Sequence, residues 1–235
     1  MSHPIRVFLL LLTVTLTLEG RTWTDNQGRT MEAEIVELDG DEVVFEKPNR
    51  VRYNFPLASL SESDQSYILE QSRLGTIPKA PTPLTRYLES YMVVHDGAKV
   101  HRALENDIPK VDYIMLYFSA GWCPPCRKFT PSLTRFYRRN KDKHPNFEII
   151  FVSSDESEEA MESYFVDYGM PWLALDYDRR KDGTVNAFSG DGIPCLVLLD
   201  REGNVIMHSY EDGQYKGPRR VMNKLAEILE SQSSS

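Results

Sequence analysis

The stretch that most constrains this chain is the apolar run Tyr113-Ile114-Met115-Leu116-Tyr117-Phe118, followed closely by Trp122-Cys123-Pro124-Pro125-Cys126 and a basic, helix-like segment from Arg127. Two cysteines separated by two residues can bind metal, sit idle, or cycle between dithiol and disulfide. A strand entering the pair and a helix leaving it favour the third use. Cys123 then falls in the first turn of a helix, where unpaired N–H groups and the helix dipole favour a thiolate. A thiolate is the species that attacks disulfides.

Composition narrows the surroundings of that motif. The 235 residues leave room for one large domain or two smaller ones. Hydrophobic content of 41% and aromatic content of 11% are those of a globular protein. A net charge of −8 argues against general affinity for nucleic acid or anionic membrane. Three cysteines cannot build the disulfide framework of a small secreted domain, and only Cys195 lies outside the motif. Cys195 and five scattered histidines show no paired zinc spacing, so no metal is expected. No glycine-rich nucleotide fingerprint or peroxidatic cysteine pattern is present, and no cofactor is expected.

At the N-terminus Arg6 precedes the run Val7 to Leu18, which Glu19-Gly20-Arg21 closes. A positive residue before a short hydrophobic core is the pattern of a secretory signal peptide, here residues 1–20, although Leu18 is a poor match for the small residue expected before the cut. The run is shorter than the roughly 20 apolar residues of a transmembrane helix. Its alternatives are a buried strand or an uncleaved membrane anchor. The expectation is an exported protein, periplasmic or extracellular.

From Arg21 to about Arg73 the pattern is short strands and tight turns. Glu34 to Leu38 and Glu42 to Glu46 flank Asp39-Gly40-Asp41, a hairpin signal. A turn at Pro48-Asn49 leads to the alternating strand Val51 to Phe55, and Leu60 to Asp64 suggests a short helix with a serine cap. Residues 21–74 therefore read as a small barrel. Arg21-Thr22-Trp23-Thr24-Asp25, Gly28-Arg29, Ala33, Val44, Leu57 through Leu60-Ser61 and Asp64-Gln65 resemble the first homology domain of the yeast endocytic adaptor Sla1. The resemblance implies an SH3-like barrel and a peptide or protein partner for it. The simpler reading is a spacer or docking surface, with Trp23 in the core rather than on a ligand platform.

Pro78, Pro81 and Pro83 mark a linker over 75–86. Beyond it, Tyr91 to Gly97 reads as strand and turn, and Ala103 to Asp107 as a short helix. Phe129, Leu133, Phe136 and Tyr137 recur at helical spacing, with Pro131 inside the helix. Arg135, Arg138, Arg139, Lys141 and Lys143 at its far end are either a solvated face or a site for an acidic partner. A strand at Phe147 to Val152, a helix carrying Met161, Tyr164, Phe165 and Tyr168, and a strand at Trp172 to Leu175 come next. A hairpin from Cys195 to His208 and a helix through Val221, Leu225, Ile228 and Leu229 close the chain before a flexible tail at 233–235. This order describes an α/β domain over 87–232, a mixed sheet with helices on both faces.

Tyr117 through Leu133 resembles the active-site segment of tryparedoxin and nucleoredoxin, in the thioredoxin superfamily; Val152-Ser153-Ser154-Asp155-Glu156, Met170-Pro171-Trp172 and Gly192-Ile193-Pro194 match further. The resemblance implies that Cys123 is the exposed nucleophile and Cys126 the buried resolving thiol. It implies that Pro194 is a cis-proline facing the dithiol. Trp122, Pro124, Pro125 and Ile193 would then border the substrate groove. Tyr117 stands where thioredoxin has a buried aspartate, so the proton route to Cys126 is open. Cys195 is either an extra redox thiol or a small buried hydrophobe.

The function expected is an exported thiol–disulfide oxidoreductase that reduces protein disulfides. It needs an electron donor for which this chain has no motif. The alternative is an interaction or adaptor protein that uses the N-terminal barrel, with the dithiol as a redox sensor or docking site.

Overall fold

Alternating polar and apolar residues build the first sheet. In the computed structural model, which describes residues 21–104, 106, 108 and 111–233, β1 (Arg21–Thr24), β2 (Thr30–Asp39), β3 (Glu42–Glu46) and β4 (Arg52–Pro56) pair in chain order, each antiparallel to the next. Residues 1–20, read as a signal peptide, lie outside the described residues, as does part of the short helix expected over Ala103 to Asp107. Gly40, at φ 57°, takes the left-handed conformation that lets Asp39 pair with Glu42. Ser61 caps α1 (Glu62–Arg73), its Oγ accepting the Asp64 N–H at 3.3 Å. The helix places Ile68 in a core with Trp23, Ala33, Val43, Phe45 and Leu60. Trp23 is 2% exposed and donates its Nε1–H to the Ala33 carbonyl at 2.9 Å, so it is core.

The expected barrel is corrected. β1 and β4 are the two edges of an open sheet and do not pair. Closure requires strands that tilt and stagger far enough to meet. Here the edges are only four and five residues long, and α1 fills the core from one side instead.

The proline-rich stretch is also laid down rather than free. Pro78 lacks an N–H, but its carbonyl accepts from Leu38 N–H at 2.8 Å, and Ala80 N–H returns a bond to the Leu38 carbonyl at 2.9 Å. Pro83 opens α2 (Pro83–Ser90) at a position where a missing N–H costs nothing, behind a Thr82–Thr85 capping box. Regular structure thus begins inside the span read as linker. An ion pair between Lys79 and Asp112, and bonds from Thr82 Oγ1 to the Arg201 carbonyl (2.7 Å) and from Arg201 to the Ala80 carbonyl (2.7 Å), tie this stretch to the larger sheet.

That sheet comprises β5 (Met92–His95), β6 (Val100–Arg102), β7 (Tyr113–Ser119), β8 (Phe147–Ser153), β9 (Leu173–Leu175), β10 (Cys195–Asp200) and β11 (Val205–His208). Their spatial order is β11-β10-β7-β8-β9-β5-β6. β7, β8 and β9 run parallel, and the outer pairs are antiparallel. The central strands are apolar almost throughout because both faces are covered. Met115, Tyr117 and Phe151 pack beneath α3 (Pro124–Asn140), α4 (Glu158–Asp167) and α6 (Pro218–Ser233). Ile114, Leu116 and Phe118 pack against α2 and the short α5 (Gly183–Asn186). This is the mixed thioredoxin-like sheet that the resemblance implies.

Candidate active site

β7 ends at Ser119, and Ala120 to Cys123 turn the chain onto α3. Gly121 sits close to α4: a Cβ would stand 3.0 Å from the Tyr164 Cβ, so a side chain there needs Tyr164 to shift by a few tenths of an ångström. The Gly121 N–H donates to Asp155 Oδ1 at 2.8 Å, while Ser153 Oγ donates to Oδ2 at 2.8 Å. Burial raises the Asp155 carboxyl above the usual range.

Cys123 is the N-cap of α3, and Pro124 and Pro125 are its first two residues. Neither proline carries an N–H, so the first donor the helix offers is Cys126 N–H, directed at the Cys123 sulfur from 3.2 Å. The cysteines form a disulfide with Cα atoms 5.2 Å apart. In the reduced pair, the same N–H and the positive helix end favour a thiolate on Cys123.

The pair is less open than expected. Cys123 is 3% exposed and Cys126 fully buried, because Ala120 and Ile193 pack over both. Trp122 is 58% exposed, with its Nε1–H donated to the Ser154 carbonyl at 3.2 Å. The Ile193–Pro194 peptide is cis, and the Ile193 carbonyl oxygen lies 3.8 Å from Cys123 Sγ. Trp122, Cys123, Pro124, Pro125, Cys126, Ile193 and Pro194 therefore meet at one end of the sheet.

Cys195 stands apart, buried and free in β10. Burial pushes its thiol up to about 11. His208 Nε2 is 3.9 Å from the sulfur, but His208 Nδ1 accepts from Tyr210 N–H (2.9 Å). Nε2 therefore carries the ring proton and donates it to the Phe188 carbonyl at 3.0 Å. The histidine has no lone pair for the thiol proton.

Sequence reasoning missed a buried hydroxyl cluster beneath Cys126. Thr130 Oγ1 donates to the Cys126 carbonyl at 2.9 Å. With its proton engaged, it accepts from the Tyr117 hydroxyl (2.9 Å) and the Tyr164 hydroxyl (2.5 Å). Ser119 Oγ donates in turn to the Tyr164 oxygen at 3.1 Å. Burial, then the neighbouring Tyr164, hold the Tyr117 hydroxyl well above the usual phenol range, so Tyr117 is no proton acceptor. Tyr164 reads in sequence as one more aromatic on a helical face, and only packing shows where its hydroxyl goes. Thr130→Val is expected to cost about 2–4 kcal/mol in urea unfolding, because two buried phenol protons lose their acceptor. Tyr117→Phe, which removes a donor and its demand together, should cost less than half of that.

A thioredoxin-like family model matches residues 111–205. Human nucleoredoxin is 40% identical over 131 residues, covering 55% of this chain and 29% of that protein. Tryparedoxin of Trypanosoma brucei brucei is 42% identical over 99 residues, covering 40% of this chain and 65% of that protein. The solved tryparedoxin I from Leishmania major aligns with a TM-score of 0.46 at 28% identity, over 65% of this chain and 96% of that one. The chain thus spans less than a third of human nucleoredoxin. These homologues support a thiol oxidoreductase.

They also overturn the expectation of an exported, periplasmic or extracellular protein, because nucleoredoxins, among them those of human, mouse and Arabidopsis, are intracellular. A short apolar run behind one arginine has the composition of a leader without a fitting cut site, and composition alone assigns no compartment. Among the described residues no helix is long and apolar enough to cross a membrane. Residues 111–205 thus match a thioredoxin-like domain, and the nucleoredoxin and tryparedoxin homologues support the thioredoxin superfamily.

Proposed function

We propose that this chain reduces disulfides in protein substrates through Cys123 and Cys126. The observation that carries the reading is the Cys123–Cys126 disulfide at the N-terminus of α3, facing the cis Ile193–Pro194 peptide. The Cys123 thiolate attacks one sulfur of a substrate disulfide, and the other sulfur leaves as a thiolate that takes up a proton. Cys126 loses its proton and attacks Cys123 Sγ, which releases the second substrate sulfur. The substrate gains two electrons, and the protein is left in the Cys123–Cys126 disulfide form. An external dithiol must return the electrons for each turnover. Trp122, Pro124, Pro125, Ile193 and Pro194 border the approach to Cys123.

In the same reading residues 21–74, which resemble the first Sla1 homology domain, are a spacer or docking element ahead of the redox domain at 87–232. The resemblance and the Lys79, Thr82 and Arg201 contacts support it.

Trapping is the test. Reduced Cys126→Ser protein, mixed with oxidised protein substrates, should hold partners through Cys123 in complexes that dithiothreitol dissolves. Recovery of no mixed disulfides would overturn the proposal.

A further inference from the structure

We propose that the groove beside the disulfide receives an acidic segment of the substrate polypeptide, selected by Lys128, Lys216 and Arg219. This rests on the disulfide-reductase reading and adds the class of polypeptide that the site prefers.

The groove holds about 430 Å³. Phe129, Pro194, Tyr215 and Pro218 line it together with the three cations. Pro194 joins it directly to the reacting centre, since the preceding carbonyl is 3.8 Å from Cys123 Sγ. The hairpin of β12 (Tyr210–Glu211) and β13 (Gln214–Tyr215) fixes the far wall. Tyr215 donates its hydroxyl proton to the Pro194 carbonyl at 3.0 Å, and Tyr210 donates to the Gly192 carbonyl at 3.2 Å. The two rings pack with centroids 5.1 Å apart. Lys216 and Arg219 therefore stand in a set relation to the cis peptide and the disulfide.

Charge decides the occupant. The protein carries a net charge of −8, yet among the described residues no carboxylate lines this groove. Lys128, Lys216 and Arg219 are all exposed, and among the described residues none of them forms an ion pair. Lys216 Nζ donates to Gln214 Oε1 at 2.8 Å, and the carboxylate that feels its charge, Glu211, is itself paired with Arg220. Across Cys123 the balance reverses: the depression beside Trp122 is lined by Asp155, Glu156 and Asp167 against the single cation Arg127. A substrate strand crossing Pro194 thus meets positive charge on one flank and negative charge on the other. At about 3.3 Å per extended residue, acids two or three residues from the reacting cysteine reach the cations. The apolar part of the lining favours a polypeptide, with side chains to bury, over a free anion.

The test uses disulfide-linked peptide pairs identical except for three positions on one side of the cysteine, occupied by Asp and Glu, by Asn and Gln, or by Lys. At low salt the full chain should reduce the acidic peptide about tenfold faster in kcat/KM than the neutral one, and the lysine peptide more slowly still. The preference should fade as salt rises. Lys128→Gln, Lys216→Gln and Arg219→Gln combined should bring the acidic-to-neutral ratio close to one. Lys99→Gln, Lys143→Gln and Lys181→Gln combined, which change net charge equally from elsewhere on the surface, should keep it. Equal rates for acidic and neutral peptides, or a preference that survives the groove substitutions, would overturn the proposal.

Binding separates this idea from the reductase reading. A labelled, cysteine-free acidic peptide should bind the oxidised protein in fluorescence anisotropy and lose affinity in the groove variant. Binding without any reduction would sink the reductase and spare the groove. Reduction without charge preference would do the reverse.

Discussion

Cys123→Ser is expected to abolish protein-disulfide reduction, by more than about a thousandfold, with the fold retained. The first turn of α3 explains the magnitude. Two prolines remove the donors that would otherwise crowd the helix start, and the Cys126 N–H points at the position-123 sulfur. A serine hydroxyl there keeps that bond but does not ionise near neutral pH, so the attacking anion is lost. Cys126→Ser should behave differently. It keeps the first attack and loses the second, giving one equivalent of mixed disulfide and no release of reduced product when the reduced variant meets substrate without an added thiol. Cys195→Ser should stay close to the parent protein in the same assay, because its thiol is buried, neutral and without a base. Comparable activity for Cys123→Ser and the parent protein would refute this assignment of roles.

Lys141→Met should destabilise the protein by about 3 kcal/mol at neutral pH. Lys141 lies among the five cations that the sequence places at the end of a helix, but the structure turns it inward. Its Nζ is 3.0 Å from Glu148 Oε2, and Glu148, the second residue of β8, is 3% exposed. Glu148 also accepts from Ile149 N–H at 2.9 Å and from the Tyr137 hydroxyl at 3.2 Å. Burial still raises its carboxyl above the ordinary 4.5, and Lys141 offsets part of that rise. The native state thus holds the Glu148 proton more tightly than the unfolded chain does. The resulting stabilisation is complete below the ordinary carboxyl range and is lost as pH rises through the native value. Removing Lys141 raises that native value further. The defect of Lys141→Met should therefore be largest at pH 7 and clearly smaller at pH 5. Glu148→Gln in the same chain, which removes the uncompensated charge, should restore most of the loss. Urea unfolding at both pH values measures it, and an identical defect at pH 5 and 7 would count decisively against this account.

The redox segment was legible because its signals are local. Strand, turn and helix around Cys123 and Cys126 follow from an apolar run, two prolines and a helical repeat through Phe129, Leu133 and Tyr137. The same holds for the Gly40 hairpin and the Ser61 cap. Strand closure is not local, and the sheet read as a barrel stays open because β1 and β4 do not pair. Proline in the 75–86 stretch misled for a related reason. A missing N–H excludes a helix interior or a central strand, but Pro78 still accepts through its carbonyl and Pro83 suits a helix start.

The sequence by itself determined the chemistry available, a cysteine pair at a helix start and a third cysteine left over, while the facing proline was implied only by the family resemblance. Only the tertiary structure decided how that chemistry is enclosed. Ile193 lies 70 residues from Cys123, yet its carbonyl approaches the sulfur, and Thr130, Tyr117, Tyr164 and Ser119 converge from one strand and two helices. Lys216 and Arg219 come beside Lys128 only because a hairpin pins the outgoing chain to the Pro194 carbonyl. Periodicity reports which face of an element is buried. It carries no information about which buried or charged groups from distant elements will share one place, because packing of the whole sheet sets those distances.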